Sequence, residues 1–188
     1  MDKYSPPQID RMLESMGIYI DTREQETTAL RKRIQDTGKP CVRKALAYGD
    51  YSGYYIDLFG QEQSLEKVVA IERKMGLIEL CGNFTSGRNR FGREFERAAK
   101  DGCHIHLLIE NDSYETLFNG EYQSSKNNKY GSNLPVQSLI GSLTSWSIKY
   151  DFKVHFCKSE TTGKLIKEVL HYELRNYLLS QVSEKLVV

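Results

Sequence analysis

The chain has 188 residues, of which 27% are charged, and its 26 Lys and Arg residues nearly balance its 25 Asp and Glu residues. This length suits one domain, predicted to span residues 1–188 around a core of about residues 18–157, that needs no disulfide or structural metal. The formal net charge of +1 argues against a strongly basic, non-specific DNA coat. It is compatible with a protein that groups acids around a cation and bases elsewhere.

Several features predict a soluble, cytoplasmic protein that does not associate with membranes. No apolar run is long enough to cross a bilayer, and the N-terminus lacks the basic and apolar regions of a secretory signal. The four cysteines, at positions 41, 81, 103 and 157, form no CxxC pair. This spacing disfavours a zinc site and indicates free thiols in a reducing compartment.

The N-terminal half alternates between helical and extended patterns. Helices are predicted at residues 6–16 and 25–37, the second with Leu30 and Ile34 at a helical spacing. Strands are predicted at residues 18–20, 41–48, 52–59 and 67–74. Residues 60–66 are predicted to be a hairpin connection between the last two strands.

The C-terminal half continues the alternation. Helices are predicted at residues 77–83, 88–101, 114–118, 135–150 and 162–179. Strands are predicted at residues 104–110 and 153–157, and the polar residues 120–133 are predicted to form a mobile loop. Strands that alternate with helices predict a three-layer α/β domain with a central mixed sheet.

A charged sequence, Glu72-Arg73-Lys74, ends one of the buried strands. Charge is costly at such a position unless it is used. Because strand side chains alternate, we expect Glu72 and Lys74 to share one face and Arg73 to take the other. Asp50, after Gly49, brings a second acid from a neighbouring segment. An amine and two acids in this arrangement are typical of a metal-dependent phosphodiesterase.

The chemistry assigns a role to each of these groups. We expect Asp50 and Glu72 to bind Mg²⁺ or Mn²⁺, because Mg²⁺ is usually held by one or two carboxylates plus water. The backbone carbonyl of Arg73 is a further candidate ligand. Lys74 is expected to orient the attacking water or to stabilise the transition state.

Three stretches of the sequence resemble one nuclease family. Gly49-Asp50 followed by Glu72-Arg73-Lys74 resembles the GD…ERKxxxD signature of the XPF-type structure-specific endonucleases. Residues 20–24 resemble the early D-x-R-E element of that family, and residues 83–97 with 107–110 resemble its Gly-Arg helix and following strand. The likeness spans about residues 18–156 and is close to the compact single-domain versions of phages and prophages.

The resemblance implies a restriction-endonuclease-like (PD-(D/E)xK) fold and metal-dependent cleavage of branched, flapped or otherwise structured, single-strand-containing DNA. A phage-encoded member would act in recombination, repair or replication in the cytoplasm of the bacterial host. Family members often work as dimers, so a homodimer is expected. The resemblance also places Asp21 near the metal and gives Glu24 a supporting role. Their alternatives are a helix cap for Asp21 and an interaction with the helix dipole for Glu24.

The chain departs from the family pattern at Ile78, which stands where an acid is expected four residues after the lysine. Glu79 follows it. Three interpretations stay open: Glu79 serves after a shift of the backbone, the site works with Asp21, Asp50 and Glu72 alone, or the chain is a non-catalytic DNA-binding or partner protein. We favour activity because Asp50 and Glu72 are both present.

Basic and aromatic residues near the site are candidates for DNA contacts. Arg88, Arg90 and Arg93 lie on a predicted helix and are candidates for phosphate contacts, with a solvated helix face as the alternative. Lys126 and Lys129 in the polar loop are candidates for a DNA clamp, with a disordered connection as the alternative. Base stacking is the alternative to core packing for four tyrosines: Tyr48, Tyr51, Tyr54 and Tyr55.

Two further interpretations concern the strands. His104 and His106 share one strand face, a spacing that can bind metal, but a structural role is favoured because no third ligand is evident. The Arg73 side chain, on the face away from Glu72, is expected to pair with an acid such as Glu94 or Glu96.

Overall fold

The structure is a computed structural model that describes residues 3–124 and 129–181. Its strands are β1 (Gly17–Asp21), β2 (Cys41–Lys44), β3 (Tyr51–Ile56), β4 (Glu62–Ser64), β5 (Val69–Lys74), β6 (His104–Glu110) and β7 (Lys153–Cys157). Its helices are α1 (Pro6–Glu14), α2 (Thr28–Thr37), α3 (Leu77–Phe84), α4 (Arg88–Lys100), α5 (Tyr114–Asn119), α6 (Val136–Tyr150) and α7 (Thr162–Ser180). The predicted alternation of strands and helices is confirmed.

The strands form one mixed sheet in the order β2-β1-β3-β5-β6-β7, with β4 paired to β3. β3 runs antiparallel to β1 and to β5, whereas β1 with β2, and β5 with β6 and β7, are parallel pairs. The carboxyl ends of β1, β5 and β6 therefore lie at one edge of the sheet, where β3 begins. The charged residues at this edge are Asp21, Asp50, Glu72, Lys74 and Glu110.

Helices cover both faces of the sheet, which confirms the three-layer prediction. One core, against α3, α4 and α6, is rich in aromatic residues and includes Phe95, Leu107 and Trp146. The other core, against α1, α2 and α7, includes Ile71 and Leu170. Full burial of one such side chain stabilises the fold by roughly 1.5–3 kcal/mol.

Helix α4 links the aromatic core to the carboxyl edge of the sheet. Phe91 and Phe95 are buried at a helical spacing, and Phe95 contacts Phe91 and Phe152 edge to face with ring centroids 4.7 Å apart. The remaining polar face of α4 is rich in arginine, including Arg90 and Arg93. The aromatic stripe therefore fixes where these arginines lie.

Several predicted element boundaries differ from the structure, and contacts in the structure account for the main differences. The strand predicted at residues 41–48 ends at Lys44, because the chain then turns so that the Leu46 N–H donates to the Asp21 carboxylate, 2.8 Å away. Helix α2 begins at Thr28 because Thr27 caps it, accepting the Leu30 N–H at 3.1 Å. Residues 62–64, predicted to be part of a connection, form β4.

The four cysteines are free thiols, as predicted. Burial raises the pKa of the Cys103 thiol to about 12, so this thiol stays protonated and unreactive. In residues 3–124 and 129–181, no helix is both long and apolar enough to span a bilayer.

The two histidines of β6 bind a carboxylate of α7. His104 Nδ1 and His106 Nε2 lie 2.9 Å and 2.8 Å from the two oxygens of Glu173. His106 Nδ1 lies 2.9 Å from His155 Nε2, and the two rings stack. The described part of the chain contains no group of three or more His, Cys, Asp or Glu residues arranged to hold a metal ion. These contacts agree with the structural role that the sequence favoured.

Glu173 is expected to make the fold sensitive to acid. Burial would raise its pKa, but hydrogen bonds from His106 and His104 outweigh burial and lower it to about 2. The stabilisation is thus complete above the ordinary pKa of 4.5 and is lost as the pH falls towards about 2. Glu173→Gln should cost at most about 3 kcal/mol near neutral pH, at roughly 1.4 kcal/mol per pKa unit.

Urea unfolding of Glu173→Gln and of the original chain, measured between about pH 7 and pH 3, tests this expectation. The difference in unfolding free energy between the two proteins should shrink as the medium becomes acidic. Glu168→Gln is the matched control, because Glu168 is an exposed acid on the same helix. A difference that stays constant with pH would contradict the role of Glu173.

Candidate active site

A cavity of about 320 Å³ opens at the carboxyl edge of the sheet. Its lining includes the acids Asp50, Glu72 and Glu94, the amine of Lys74, and four arginines, Arg23, Arg90, Arg93 and Arg97. A larger groove, of about 650 Å³, lies between α1 and α7, but none of the described charged residues that line it is buried. The smaller cavity is the candidate site because it places buried acids beside cationic side chains.

The turn at Gly49 presents Asp50 to the cavity. Gly49 has φ +62°, and a Cβ atom there would lie 2.7 Å from the Ile71 carbonyl oxygen, so this position requires glycine. The Asp50 N–H donates to Ile71 O at 2.8 Å, and Asp50 Oδ2 accepts the Arg73 N–H at 2.8 Å. Backbone bonds from β5 therefore hold both the main chain and the carboxylate of Asp50.

Glu72 and Lys74 share one face of β5, as predicted from strand alternation. Lys74 Nζ lies 2.6 Å from Glu72 Oε1, and both residues are buried. Glu79, from α3, also reaches the amine, with Oε1 3.5 Å from Lys74 Nζ, while its Oε2 accepts the Met75 N–H at 2.8 Å. Glu79 therefore contacts the site through Lys74.

The two acids of the pair are both harder to ionise than ordinary carboxyls. Burial, followed by the charge of Glu72, raises the pKa of Asp50 well above its usual 3.8. Burial also raises the pKa of Glu72, against the opposing charge of Lys74, and Glu94 adds to the rise. Burial lowers the pKa of Lys74, but the charge of Glu72 and its hydrogen bond outweigh it, so the amine stays protonated.

This donor set suits Mg²⁺ or Mn²⁺. Two buried carboxylates that repel one another are stabilised by a divalent cation between them, and Mg²⁺ commonly takes only one or two carboxylates plus water. Asp50 and Glu72 supply that pair. Among the described residues, no third acid or imidazole stands with them at ligand distance, so water and substrate oxygens would complete the coordination.

Asp21 is buried beside the site but does not line the cavity. Its carboxylate accepts from Arg23 Nε at 2.7 Å, from Arg23 Nη2 at 3.1 Å and from the Leu46 N–H at 2.8 Å. Burial would raise the pKa of Asp21, but the bonds from Arg23 and Leu46 lower it. These bonds hold Arg23, which lines the cavity, while the predicted place of Asp21 near the metal stays a prediction. The alternative role as a helix cap is wrong, since Thr27 caps α2.

Arg73 does not pair with Glu94 or Glu96, as the sequence had suggested. Its guanidinium lies on the opposite face of the sheet from Glu72, where Nη1 contacts Glu110 Oε2 at 3.0 Å. Glu94 belongs to α4, on the other side of the sheet, and is out of reach for this reason. The prediction that the Arg73 side chain points away from Glu72 and Lys74 is confirmed.

Glu24 also lies behind the cavity. It accepts the Tyr51 O–H at 3.2 Å and is 3.8 Å from Arg33 Nη1. These contacts, together with Glu110 and Arg73, form a buried ionic group on the face that α2 covers. Glu24 therefore does not line the cavity that holds Asp50 and Glu72.

The basic candidates divide into two groups. Arg90 and Arg93 line the cavity, whereas Arg88 lies over the Trp146 ring at 5.0 Å and does not line it. Lys129 is exposed, and Lys126 lies outside the described residues. The four tyrosines proposed for base stacking are all buried and pack in the core or between strands: Tyr48, Tyr51, Tyr54 and Tyr55.

Sequence reasoning missed three groups that matter here. Glu94 accepts the Gly49 N–H at 2.9 Å and lines the cavity with Arg97, and both share a helical spacing with Arg90 that could have indicated them. Glu110 ends an apolar strand, as the Glu72 segment does. A charge at the buried end of a strand is costly, and this pattern could have indicated Glu110 as a functional residue.

Comparisons with known proteins agree with this geometry. The ERCC4 domain family matches residues 20–169 of the chain. The structure of XPF from Aeropyrum pernix is similar, with 15% identity and a TM-score of 0.57, over 84% of this chain and 65% of that chain. XPF from Aeropyrum pernix in complex with DNA is also similar, with 17% identity and a TM-score of 0.52, over 88% of this chain and 68% of that chain.

These likenesses confirm the restriction-endonuclease-like α/β fold with a central mixed sheet. The chain spans about two thirds of the length of the solved structures it matches, 65% of one and 68% of the other. No curated protein sequence matches it.

Proposed function

The chain belongs to the ERCC4 domain family as an XPF-type endonuclease domain, and on that premise we propose that it hydrolyses phosphodiester bonds in branched, flapped or otherwise structured DNA with Mg²⁺ or Mn²⁺. One observation carries the proposal: Asp50 and the Glu72–Lys74 pair line one arginine-rimmed cavity. That set combines cation ligands, a fixed positive charge and phosphate contacts, which are the groups that phosphodiester hydrolysis requires.

Each side chain has a defined task in this proposal. Asp50 and Glu72 hold the cation, which when bound would activate water and neutralise charge on the scissile phosphate. Lys74 acts as a cation and not as a base, because Glu72 keeps its amine protonated. Its ammonium offsets the negative charge that develops on the phosphate oxygens. The backbone carbonyl of Arg73 as a further ligand stays a prediction.

Glu79 and Glu94 bear on the departure at Ile78. Ile78 is 45% exposed and does not line the cavity, so it leaves no buried gap in the site. Glu79 contacts Lys74, and Glu94 supplies a third carboxylate to the cavity and bonds the turn before Asp50. The acid absent at position 78 is thus offset by two acids from α3 and α4.

The arginine rim supports DNA binding. Guanidinium groups recognise phosphates through paired hydrogen bonds, and the similar XPF structure in complex with DNA binds the same class of ligand. The rim consists of four residues, Arg23, Arg90, Arg93 and Arg97. Asp21 holds the first of them in place through two hydrogen bonds.

Arg93→Gln is expected to weaken DNA binding by a similar factor for every DNA sequence. The loss of one phosphate contact should lower the slope of log affinity against log salt by about 1. Fluorescence anisotropy with labelled flap DNA, in Ca²⁺ and at several salt concentrations, measures both quantities. Lys100→Gln is the control, because Lys100 is an exposed cation of the same helix that does not line the cavity. Equal slopes for both variants would contradict the rim assignment.

A cleavage assay tests the proposed function. Labelled flap, fork, junction, single-stranded and duplex DNA would be incubated with Mg²⁺, Mn²⁺ or EDTA. Cutting of a branched substrate only in the presence of the cation supports the proposal. Binding without cutting under every condition would instead favour the alternative, a non-catalytic DNA-binding or partner protein, for which Ile78 is the specific observation.

Three expectations from the sequence stay predictions. They are the single domain over residues 1–188, a homodimer, and a role in phage recombination, repair or replication. Sedimentation of the purified protein with and without flap DNA would measure whether it forms a homodimer.

A further inference from the structure

A buried ionic group lies directly behind the cavity, on the face of the sheet that α2 and α7 cover. Glu110 Oε1 contacts Arg33 Nη2 at 3.3 Å, and Glu110 Oε2 contacts Arg73 Nη1 at 3.0 Å. Arg33 Nη1 donates to the Tyr51 hydroxyl at 2.9 Å. The side chains of Arg33 and Glu110 are only 7% and 4% exposed. Together with Glu24 and Arg73 they line a second cavity of about 540 Å³ on this face of the sheet.

These contacts form a closed circuit through the sheet. Tyr51, which receives the bond from Arg33, is the residue after Asp50 in the chain. Arg73, whose guanidinium donates to Glu110 Oε2 at 3.0 Å, also donates its backbone N–H to Asp50 Oδ2 at 2.8 Å. The path from Asp50 through Tyr51, Arg33, Glu110 and Arg73 therefore returns to the Asp50 carboxylate.

The circuit spans the shortest strand pairing of the described sheet, that between β3 and β5. β3 and β5 share only the register pair Tyr51 with Ile71, beside the bond from the Asp50 N–H to Ile71 O. This short backbone pairing, with the bond from the Arg73 N–H to Asp50 Oδ2, joins the strand that carries Glu72 to the turn that carries Asp50. The ionic group adds side-chain connections across the same junction.

Stability does not account for the ionic group. Desolvation of buried charges costs about as much as their attraction returns, and apolar residues of similar volume are often neutral or stabilising in their place. In the described part of the chain, the Nε atoms of Arg33 and Arg73 have no hydrogen-bond partner, which adds a further cost. The ionic group is therefore expected to act by fixing the positions of the residues that it contacts.

We propose that Glu110, together with Arg33, is a positioning residue that sets the separation of Asp50 and Glu72 from behind the sheet. Glu110 holds Arg73, whose N–H orients the Asp50 carboxylate, while Arg33 holds the chain next to Asp50 through Tyr51. The inference rests on the proposed function, because it assigns cation binding to Asp50 and Glu72. Neither Glu110 nor Arg33 lines the cavity that holds these acids.

The test replaces three members of the ionic group by apolar residues in the triple variant Arg33→Met, Arg73→Met and Glu110→Leu. The fourth member, Glu24, keeps the hydrogen bond that it accepts from the Tyr51 hydroxyl. The backbone N–H of Arg73 is unchanged by this substitution. Calorimetric titration of the metal-free protein with Mn²⁺ is expected to show about 10- to 100-fold weaker binding, the range for groups that orient metal ligands. The unfolding temperature in EDTA should stay equal or rise, and the affinity for flap DNA in Ca²⁺ should not change.

Tyr51→Phe provides a milder variant that removes only the hydroxyl contacted by Arg33. It is expected to bind Mn²⁺ several-fold more weakly and to unfold at a slightly lower temperature, because Arg33 and Glu24 both lose the hydroxyl between them. Tyr55→Phe is the matched control, since Tyr55 is a buried tyrosine of the same strand whose ring also packs in the core against α1 and α7.

The outcomes separate this inference from the proposed function. If the original chain binds Mn²⁺ and cuts DNA, and Tyr51→Phe and the triple variant bind Mn²⁺ as tightly as it does, the positioning role is wrong and the nuclease stands. If the original chain neither binds Mn²⁺ nor cuts, the proposed function itself fails. If only the triple variant fails to fold, the Tyr51→Phe and Tyr55→Phe pair decides the question.

Discussion

Replacing Glu72 by Gln is expected to abolish metal-dependent DNA cleavage while the variant folds and binds DNA. The rate should fall by at least ~10³-fold, because a bound cation contributes several kcal/mol and each ~1.4 kcal/mol is tenfold in rate. Single-turnover cleavage of flap DNA in saturating Mg²⁺ measures the effect. Glu96→Gln, which changes an exposed acid of α4, should cut at the original rate. Full activity of Glu72→Gln would sink the assignment of the metal pair.

Asp50→Asn is expected to lose cleavage to the same extent as Glu72→Gln, but to be more stable to heat than the original chain. Burial and the charge of Glu72 hold the pKa of Asp50 well above 3.8, so the folded state favours the protonated carboxyl. Ionisation then destabilises the fold as the pH rises through that raised pKa, and the amide avoids this loss. In EDTA near pH 7 the variant should melt at a higher temperature, and the gain should vanish as the pH falls towards 3.8. A lower melting temperature at neutral pH would contradict the mutual repulsion of the two acids.

Lys74→Met is expected to separate cation binding from catalysis. Removing one donor aimed at transition-state charge typically lowers the rate by about 10²- to 10³-fold. The same change removes the ammonium that contacts Glu72 at 2.6 Å and competes with the cation for that carboxylate. The variant should therefore bind Mn²⁺ at least as tightly as the original chain, while it cuts far more slowly.

Calorimetry and single-turnover cleavage on the same preparation test this separation. Lys100→Met, on the exposed side of α4, is the control for the loss of a lysine. Unchanged cleavage by Lys74→Met would mean that the amine only neutralises Glu72. Loss of both Mn²⁺ binding and cleavage would mean that Lys74 builds the site and has no separate catalytic task.

Local patterns in the sequence were sufficient to predict how Glu72, Lys74 and Arg73 are arranged on the strand. Strand alternation placed Glu72 and Lys74 on one face and Arg73 on the other, and the structure confirms this. The Gly49-Asp50 turn was identified as the source of the second acid, and the positive φ of Gly49 explains why this residue precedes it. These features depend on residues close in sequence, where periodicity is informative.

Contacts between distant segments were not predicted, because the periodicity of a sequence carries no information about which side chains are in contact in the folded protein. The partner of Arg73 was sought on α4, whereas it is Glu110 at the end of the adjacent strand. The bond from the Leu46 N–H to the Asp21 carboxylate was not predicted either, while the place of Asp21 near the metal stays a prediction. The turn at Leu46 also ended β2 early, since a tertiary hydrogen bond outweighed local strand preference.

Helix α4 has a consequence for how the protein would choose among DNA shapes. The helix that carries Arg90 and Arg93 also buries Phe91 and Phe95 in the aromatic core, so its backbone cannot shift without unpacking that core. Arginines carried on a fixed backbone leave most of the deformation to the nucleic acid. Flaps and nicks bend at a discontinuity at little cost, whereas intact duplex resists bending. Selectivity would then arise from DNA flexibility, without contacts to any particular base.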